Sequence, residues 1–309
     1  MNLQNHERRP EPRSGHLLAA FSLALAGCLW GTGFLFGKIA MTEMTVSENV
    51  AFRFLSGAVL LLPVVTRSWK PYRGKDLWIL LLASVIGIPV QFLIQFRGLQ
   101  LTTVSHASLI VGVLPVILAA GSAVVLQERL RAVEWGVLAL SALGAGLIAL
   151  SSRSTAGNSG PSLHGDLLVL GSMFAAMVMV LCSKRLIASH GALPVTATTI
   201  ILGTVLLMIW VELTTPVQVH FSASAWGAAV AQGVLATAGA YLLWNWGLGH
   251  MPASKAGVFL NLEPALGSVL GIVILHEPLA QTAILGGACI IGAAVYFSLR
   301  GQEEAEHKR

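Results

Sequence analysis

Two stretches of the chain decide the fold: GLQLTTVSHASLIVGVLPVILAAGSAVVLQE at residues 98–128 and GLGHMPASKAGVFLNLEPALGSVLGIVILHE at residues 247–277. Gly98, Ser105, Pro115 and Glu128 of the first stretch recur 149 residues later as Gly247, Ser254, Pro264 and Glu277. Four matches at one offset, without a gap, indicate an internal duplication. Both copies are almost entirely apolar, so the duplicated unit is a bundle of apolar segments.

The composition is typical of a membrane protein. The 309 residues are 55% hydrophobic and only 11% charged, and the mean hydropathy is +0.76. Because lipid offers no hydrogen bonds, a spanning segment is either a helix or a strand of a closed barrel. Long uncharged runs do not fit the alternating pattern of a barrel strand. We therefore expect an all-α integral membrane protein.

Charged residues fall in clusters separated by apolar runs of about 20 residues, the length that crosses a bilayer core as a helix. The predicted spans are ten: 17–37, 47–66, 77–96, 104–126, 135–152, 166–183, 194–212, 224–246, 255–275 and 280–299. The Ser/Gly-rich stretch SSRSTAGNSGP, residues 151–161, separates five spans from five. The predicted organisation is an N-terminal tail (1–16), a first five-helix repeat (17–152), a linker (153–165), a second five-helix repeat (166–299) and a C-terminal tail (300–309).

The basic residues predict the orientation. With a cytoplasmic N-terminus, 15 of the 19 Lys and Arg residues lie inside, and only Lys38, Arg97 and Arg153 lie outside; Arg53 falls within the second span. This asymmetry follows the positive-inside rule, so both termini are predicted to be cytoplasmic and the net charge of +5 does not indicate a nucleic-acid partner. Since five is odd, the second repeat enters the membrane from the opposite side. Inverted repeats place a central cavity at their junction, as in secondary transporters.

Several motifs resemble those of a known family. They are Trp30-Gly31 with Lys38, Arg53, Pro115, and Gln127-Glu128-Arg129-Leu130 with Gly136 and Gly144, then Leu262-Glu263-Pro264 and His276-Glu277-Pro278-Leu279 with Gly286 and Gly292. With them the chain resembles the EamA-type branch of the drug/metabolite transporter superfamily, and within it most resembles the bacterial YddG-type exporters of aromatic and other amino acids. The resemblance implies a ten-helix inverted-repeat carrier of small organic solutes in the cell inner membrane. Leu114 stands where the second copy has Glu263.

Polar side chains within spans are candidates for the cavity, because a charged side chain at mid-bilayer costs on the order of 2.5–3.5 kcal/mol. Gln91 and Gln95 share one face of the third span, and Tyr241 and Asn245 share one face of the eighth, beside Trp244. We interpret these five as solute-binding residues. The alternative for the amides is hydrogen bonding between helices.

Five further residues are candidates for solute binding or proton coupling. His106 and its repeat equivalent Lys255 open the spans that carry the repeated prolines, and each either contacts a solute carboxylate or extends to the membrane interface. Since imidazole titrates near neutral pH, His106 is also a candidate for a proton step. Asn261 and Glu263 precede Pro264, and Glu263 either couples a proton, binds a solute amine or bonds a neighbouring helix. Trp30 lies in mid-span, where it stacks on a solute or is plain core.

Glycines and prolines within spans are predicted to serve helix packing, with hinge motion as the alternative. Gly31, Gly267 and Gly271 belong to four-residue spacings that let helix backbones approach closely. Pro115 and Pro264 interrupt their helices by removing a backbone donor.

The predicted function is export of amino acids, aromatic and other neutral ones, by alternating access, with efflux of drugs or hydrophobic cations as the alternative. A largely apolar lining with a few amides suits an amphipathic solute better than a sugar phosphate. The sequence contains neither H-E-x-x-H nor G-x-S-x-G, which argues against an intramembrane enzyme, and nothing resembling the charge rings or filters of a channel. Cys28, Cys182 and Cys289 fall in separate spans and predict no metal site. We expect no cofactor, and a small-molecule solute and the bilayer as partners of a monomer, with a dimer as the alternative.

Overall fold

The computed structural model describes residues 13–68, 71–125, 131–154, 161–214, 217–250 and 257–307, and every regular element in this part is helical. The first half contains α1 (Arg13–Ala40), α2 (Val46–Ser68), α3 (Lys75–Val85), α4 (Gln91–Leu101), α5 (Val104–Val111), α6 (Leu114–Val125) and α7 (Ala132–Ser154). The second half contains α8 (Leu163–His190), α9 (Ala192–Thr214), α10 (Ala223–Gly233), α11 (Ala240–His250), α12 (Leu262–Leu275) and α13 (Gln281–His307).

Six helical stretches are long and apolar enough to cross a bilayer, which confirms the prediction of an all-helical, multi-pass membrane protein. They are Leu18–Ala40, Val46–Arg67, Lys75–Leu101, Leu163–Ile187, Ala192–Thr214 and Ala223–Gly247. Each coincides with a predicted span. Shorter apolar helices at Val104–Leu118, Trp135–Gly144, Phe259–Leu275 and Gln281–Ala293 lie within the other four predicted spans.

Two of the long spans contain a π-helical segment, which the sequence prediction did not anticipate. Ile86–Val90 joins α3 to α4, and Val234–Gly239 joins α10 to α11. The first segment contains Pro89, which lacks the backbone N–H of a regular helix. The offset of 149 residues maps 86–90 onto 235–239, inside the second segment. Such single-turn segments are frequent at functional sites.

The fourth and ninth predicted spans are interrupted at matching places. The chain leaves the helix at Gly112–Val113 between α5 and α6, so the structure has two helices where the sequence predicted one. The offset of 149 residues maps this break onto 261–262, where the 3₁₀ segment Gly257–Asn261 meets α12. Pro115 and Pro264 follow the two breaks in the first turns of α6 and α12, where a missing N–H costs no hydrogen bond.

Helices of the two halves pack on one another. α1 packs against α10, α11 and α12, and α8 packs against α3, α4 and α6; α2 contacts α9, α5 contacts α12, and α7 contacts α13. Small residues allow the closest of these approaches: a Cβ on Gly144 of α7 would lie 2.6 Å from the carbonyl oxygen of Gly286 on α13. The main buried core lies between α2, α4, α5 and α9 and includes Phe54, Phe96 and Leu207.

One end of the bundle holds residues 41–45, 102–103, 161–162, 217–222 and 276–280. We call it the outer end, in agreement with the predicted topology. Hydrogen bonds join these segments: Ser162 N–H donates to the Leu101 carbonyl at 3.1 Å, and Gln218 N–H donates to Glu48 Oε1 at 2.8 Å. At the opposite, inner end, His190 Nδ1 of α8 lies 3.8 Å from Asp76 Oδ2 of α3.

Candidate functional site

An aromatic cluster of Trp30, Tyr241 and Trp244 joins the middle of α1 to α11. The Trp30 ring lies 5.3 Å from the Tyr241 ring in an edge-on arrangement, and 5.3 Å from the Trp244 ring in a tilted one. Tyr241 and Trp244 are three residues apart, so they share one face of α11. All three side chains are half-buried. The structure thus brings together three of the predicted solute-binding residues.

Arg53 of α2 is buried near Tyr241 of this cluster and is a functional candidate that the sequence prediction missed. Its side chain is 3% exposed. The guanidinium donates from Nε to Thr237 Oγ1 at 2.8 Å and from Nη2 to the Ala236 carbonyl at 3.3 Å, both in the second π-helical segment. Its carbon Cζ also lies 4.6, 5.3 and 5.4 Å from the ring centres of Phe92, Phe54 and Phe96. Cation–π contacts of this kind stabilise a desolvated guanidinium.

Glu263 provides the opposite charge. The Arg53 guanidinium, the Tyr241 phenol and the Glu263 carboxyl group lie close enough for an electrostatic influence on one another. Within the described part of the chain, however, Arg53 and Glu263 form no direct salt bridge. The Glu263 carbonyl oxygen lies against Gly31, which is next to Trp30 in sequence. A Cβ added to Gly31 would lie only 3.0 Å from this oxygen. A buried cation and a half-buried carboxylate therefore lie near the aromatic cluster, separated from each other.

Gln91 and Gln95 lie on α4, each next in sequence to a ring that contacts Arg53. Both side chains are buried, with exposures of 6% and 5%. Within the described residues neither amide forms a hydrogen bond, and Gln91 Oε1 is fully enclosed without a partner. Because buried polar groups almost always have a partner, the Gln91 amide oxygen requires water or a ligand.

Asn245 occupies a different position from the other candidates on α11. Its Nδ2 donates to Thr196 Oγ1 on α9, and Thr196 Oγ1 in turn donates to the Ala192 carbonyl at 2.8 Å. This is the helix-to-helix hydrogen bond that the sequence left as the alternative to solute contact. Asn261 is buried at the end of the 3₁₀ segment, two residues before Glu263.

His106 lies at the outer end, where it pairs with Asp166 of α8. The distance from His106 Nδ1 to Asp166 Oδ2 is 3.1 Å, and the side chains are 2% and 1% exposed. Asp166 Oδ1 also accepts from Thr102 Oγ1 at 2.5 Å. Sequence reasoning missed Asp166 because it is the first residue of a predicted span, where a carboxylate is ordinary.

Two more charged side chains hold the segment Leu99–His106, which we call the outer turn. Lys38 Nζ donates to the Leu99 and Thr102 carbonyls at 2.9 and 2.6 Å. Glu277 accepts from three donors, all at 2.8 Å: Val104 N–H, Ser105 N–H and the Ser105 hydroxyl. These contacts satisfy free N–H groups at the start of α5 with a negative charge, which also suits the helix dipole.

The predicted hinge or packing residues lie at close helix contacts. A Cβ on Gly31 would meet α12, and a Cβ on Gly267 or Gly271 would meet Ser108 or Ser105 of α5. Pro264 is buried against Gly112. α5 and α12 therefore run antiparallel, and Glu263 lies near the level of Gly112.

Some of the sequence predictions lie outside the described residues. These are Lys255, Glu128 and the side chain of Pro115. In the part of the chain that the structure describes, no three His, Cys, Asp or Glu side chains form a group suited to a metal ion.

Comparisons with known proteins agree with one another. The EamA-like transporter family matches this chain twice, at residues 17–150 and 163–299. An uncharacterized transporter of Bacillus subtilis, YetK, is 24% identical over 280 residues, covering 89% of this chain and 84% of YetK. The threonine/homoserine exporter RhtA of Salmonella typhimurium is 31% identical over 147 residues, covering 48% of this chain and 49% of RhtA. One solved structure, 20% identical, aligns over 94% of this chain and 99% of its own with a TM-score of 0.64, which shows a shared fold.

Proposed function

Because the chain belongs to the EamA-like transporter family, we propose that it is an alternating-access carrier that exports neutral amino acids, in the manner of the YddG-type exporters. The observation that carries the proposal is the placement of Arg53 and Glu263, opposite charges without a direct salt bridge, near the half-buried aromatic cluster. The carboxylate of a zwitterion would bind Arg53, and its ammonium group would bind Glu263. Its side chain then contacts the rings of Trp30, Tyr241 and Trp244.

The proposed architecture is ten membrane helices in two inverted five-helix repeats, divided as the sequence predicts. Three observations support it: the family matches each half separately, the π-helical segments correspond at the repeat offset, and so do the breaks at 112–113 and 261–262. Discontinuous helices at equivalent places in two halves are typical of carriers whose solute binds near the bilayer midplane. We further propose an inner-membrane location with both termini cytoplasmic, from the distribution of Lys and Arg.

The amides of Gln91 and Gln95 add polar groups to the proposed site. They are buried without hydrogen-bond partners among the described residues, and a ligand with a carboxylate and an ammonium supplies both a donor and an acceptor. RhtA, which matches half of this chain, is named as an exporter of two amino acids. Asn245 is the weakest candidate, since Thr196 already binds it.

A second candidate function is efflux of hydrophobic cations. The aromatic cluster together with Glu263 would suit a cation as well as an ammonium group. Arg53 supports the first function over the second, because a buried guanidinium would repel a cation and would attract a carboxylate.

The test is counterflow in proteoliposomes with three ligands that share one side chain: phenylalanine, phenylalanine methyl ester and N-acetylphenylalanine. The ester lacks the carboxylate and the acetyl derivative lacks the ammonium. We expect phenylalanine to exchange about 10- to 100-fold faster than either derivative. This factor corresponds to the loss of one hydrogen bond to a charged group, which contributes about 1.5–3 kcal/mol. Equal exchange of the ester would refute the role of Arg53, and preference for a cationic dye would favour the second candidate.

Variants of Arg53 and Glu263 test which residue binds the carboxylate of the solute and which binds its ammonium group. Arg53→Met should remove the preference for phenylalanine over its ester, while Arg53→Lys keeps a positive charge and should keep part of that preference. Glu263→Gln should remove the preference over the acetyl derivative. The matched control is Asp76→Asn, a carboxylate at the inner end, which should leave both preferences unchanged.

A further inference from the structure

Two buried amide side chains near Arg53 have unused hydrogen-bonding groups. Asn49 of α2 and Gln232 of α10 are both 0% exposed. Neither the oxygen nor the nitrogen of the Asn49 amide has a partner among the described residues, and Gln232 Oε1 has none there either. Gln232 Nε2 donates to the Gly33 carbonyl of α1 at 2.5 Å. Because an enclosed amide oxygen without a donor is costly, each oxygen needs a water molecule or a donor from the protein.

The Arg53 guanidinium is turned away from Asn49, toward the inner end. Thr237, which accepts from Nε, also packs against Gly57, since a Cβ on Gly57 would lie 3.0 Å from Thr237 Cγ2. The guanidinium therefore lies near the residue four positions after Arg53, whereas Asn49 is four positions before it, on the same face of α2 and toward the outer end. Long side chains on a helix usually point back toward its N-terminus. A change of rotamer thus brings Arg53 to Asn49.

Gln232 lies beside the rings that surround Arg53, also on the outer side. A Cβ on Gly37 of α1 would lie against both the Phe96 ring and Gln232 Nε2, and Phe96 is one of the rings around the guanidinium. Gln232 precedes the π-helical segment that binds Arg53, on a helix that begins at the outer end. We call the amide oxygens of Asn49 and Gln232 the outer acceptors, because both lie outward of the observed guanidinium.

We propose that the outer acceptors bind the Arg53 guanidinium when the carrier opens outward, and thereby release the solute carboxylate from it. This inference rests on the proposed function and adds to it the step that unloads the solute. In the observed position, Thr237 and Ala236 hold one edge of the guanidinium through Nε and Nη2, and Nη1 has no hydrogen bond within the described part of the chain. The free edge is the one that binds the carboxylate. In the outer position the two amide oxygens accept from these N–H groups, and the departing carboxylate is hydrated, which offsets the loss of its ion pair.

Substitutions at Asn49 change the outer acceptors in opposite directions. Asn49→Leu has a similar size but removes the acceptor, so the carboxylate stays on Arg53 and the apparent affinity for solute at the outer face rises. Asn49→Asp adds a negative charge that competes with the solute for the guanidinium, so this affinity falls. A purely structural role of Asn49 predicts a change in the same direction for both variants.

The experiment measures the half-saturation concentration of phenylalanine at each face, by counterflow in proteoliposomes of known orientation. At the outer face we expect a decrease of about tenfold in Asn49→Leu and an increase of about tenfold in Asn49→Asp, the value of one hydrogen bond to a charged group, with a smaller change at the inner face. Gln232→Met and Gln232→Glu should give the same two shifts. The matched control is Thr199→Val on α9, which removes another buried side-chain oxygen that has no partner among the described residues and should change neither face.

Shifts of the same sign in the two variants of a residue would overturn the inference, and so would outer-face values within about threefold of wild type in all four variants, because water alone would then complete the two amides. If the variants of one residue do not exchange phenylalanine, the pair at the other residue decides by the sign of its shifts. Loss of exchange in all four would overturn the inference as well, because the amides would then maintain the fold and not the release of solute. Absence of exchange in the wild-type protein, or no preference for phenylalanine over its methyl ester, would instead overturn the proposed function.

Discussion

Replacing Glu277 by Gln tests whether the contacts of the outer turn hold that end of the protein closed. The carboxylate accepts three hydrogen bonds, two of them from backbone N–H groups of Val104 and Ser105, with one oxygen serving Val104 and the other serving Ser105. A Gln side chain has the same size, but only its oxygen accepts. Its NH₂ group would face a donor, so at least one bond is lost, together with the charge at the start of α5.

The expected magnitude follows from that loss. A hydrogen bond to a charged group contributes about 1.5–3 kcal/mol, and each 1.4 kcal/mol is a factor of ten in an equilibrium. Glu277→Gln should therefore raise the population with an open outer turn by about 10- to 100-fold. Ser105→Ala removes only the hydroxyl donor and should have a smaller effect, since the two backbone bonds to the carboxylate remain.

The assay is labelling of a cysteine at position 108 by a membrane-impermeant maleimide added from outside. Ser108 is fully buried on α5 against Gly267, so label reaches it only when the turn opens. The background replaces Cys28, Cys182 and Cys289, which are unpaired in the wild-type protein. The labelling rate should rise with the population of the open form.

The matched control is Glu43→Gln. Glu43 also accepts bonds from a serine hydroxyl and backbone N–H, those of Ser222 before α10, and these bonds lower its pKa. It is exposed and binds Ser222 instead of the outer turn, so its replacement should leave the labelling rate unchanged. An increase of less than about threefold in Glu277→Gln, or an equal increase in Glu43→Gln, would refute the reasoning.

Three further predictions test packing and the solute site. Gly271→Ala should increase labelling as Glu277→Gln does, because the new Cβ would lie 2.5 Å from Glu277 Oε2 and displace it. Gly144→Ala should lower the melting temperature in detergent, with overpacking against the Gly286 carbonyl costing about 1–3 kcal/mol; an unchanged melting temperature would contradict the close contact of α7 and α13. Trp30→Ala should weaken phenylalanine binding by about two- to tenfold, the value of an aromatic pair, with threonine binding as the reference that should change less.

The sequence predicted the helices well because lipid imposes one strong condition on them. A run of about 20 apolar residues has few other structures available in a bilayer, so length and the positions of charges suffice. Each predicted span coincides with an apolar helix or contains one. The repeated Pro115 and Pro264 also marked the interrupted helices, although the break between α5 and α6 falls two residues before Pro115.

The sequence did not predict which polar groups would meet, because those contacts join residues far apart in the chain. Asp166 acquires its significance only from His106, 60 residues away, and Glu277 only from the start of α5, 172 residues away. Arg53 was visible as a charge within a span, yet nothing local indicated that Phe92 and Thr237 would enclose it. The solute-site assignments stay predictions until transport is measured.

The burial of Arg53 and the irregularity of the helix beside it explain each other. A π-helical turn breaks the regular pattern of backbone hydrogen bonds, and in lipid a freed carbonyl needs a partner. Arg53 donates to the Ala236 carbonyl and to the Thr237 hydroxyl in that turn. The irregular helix thus provides hydrogen-bond acceptors for the guanidinium, and the guanidinium provides a donor for a backbone carbonyl of the helix.

At the offset of 149 residues, neither Arg53 nor Glu263 has a charged counterpart in the other half of the sequence. Leu202 lies 149 residues after Arg53, and Leu114 lies 149 residues before Glu263. Each of the two charges therefore corresponds to a leucine in the other repeat. In the proposed inverted-repeat architecture, a cation from one half and a carboxylate from the other would present two different ends to a ligand. Such a site discriminates by the order of charges along a solute, so a carrier of this design should reject both a dication and a dicarboxylate of the same length while it accepts a zwitterion.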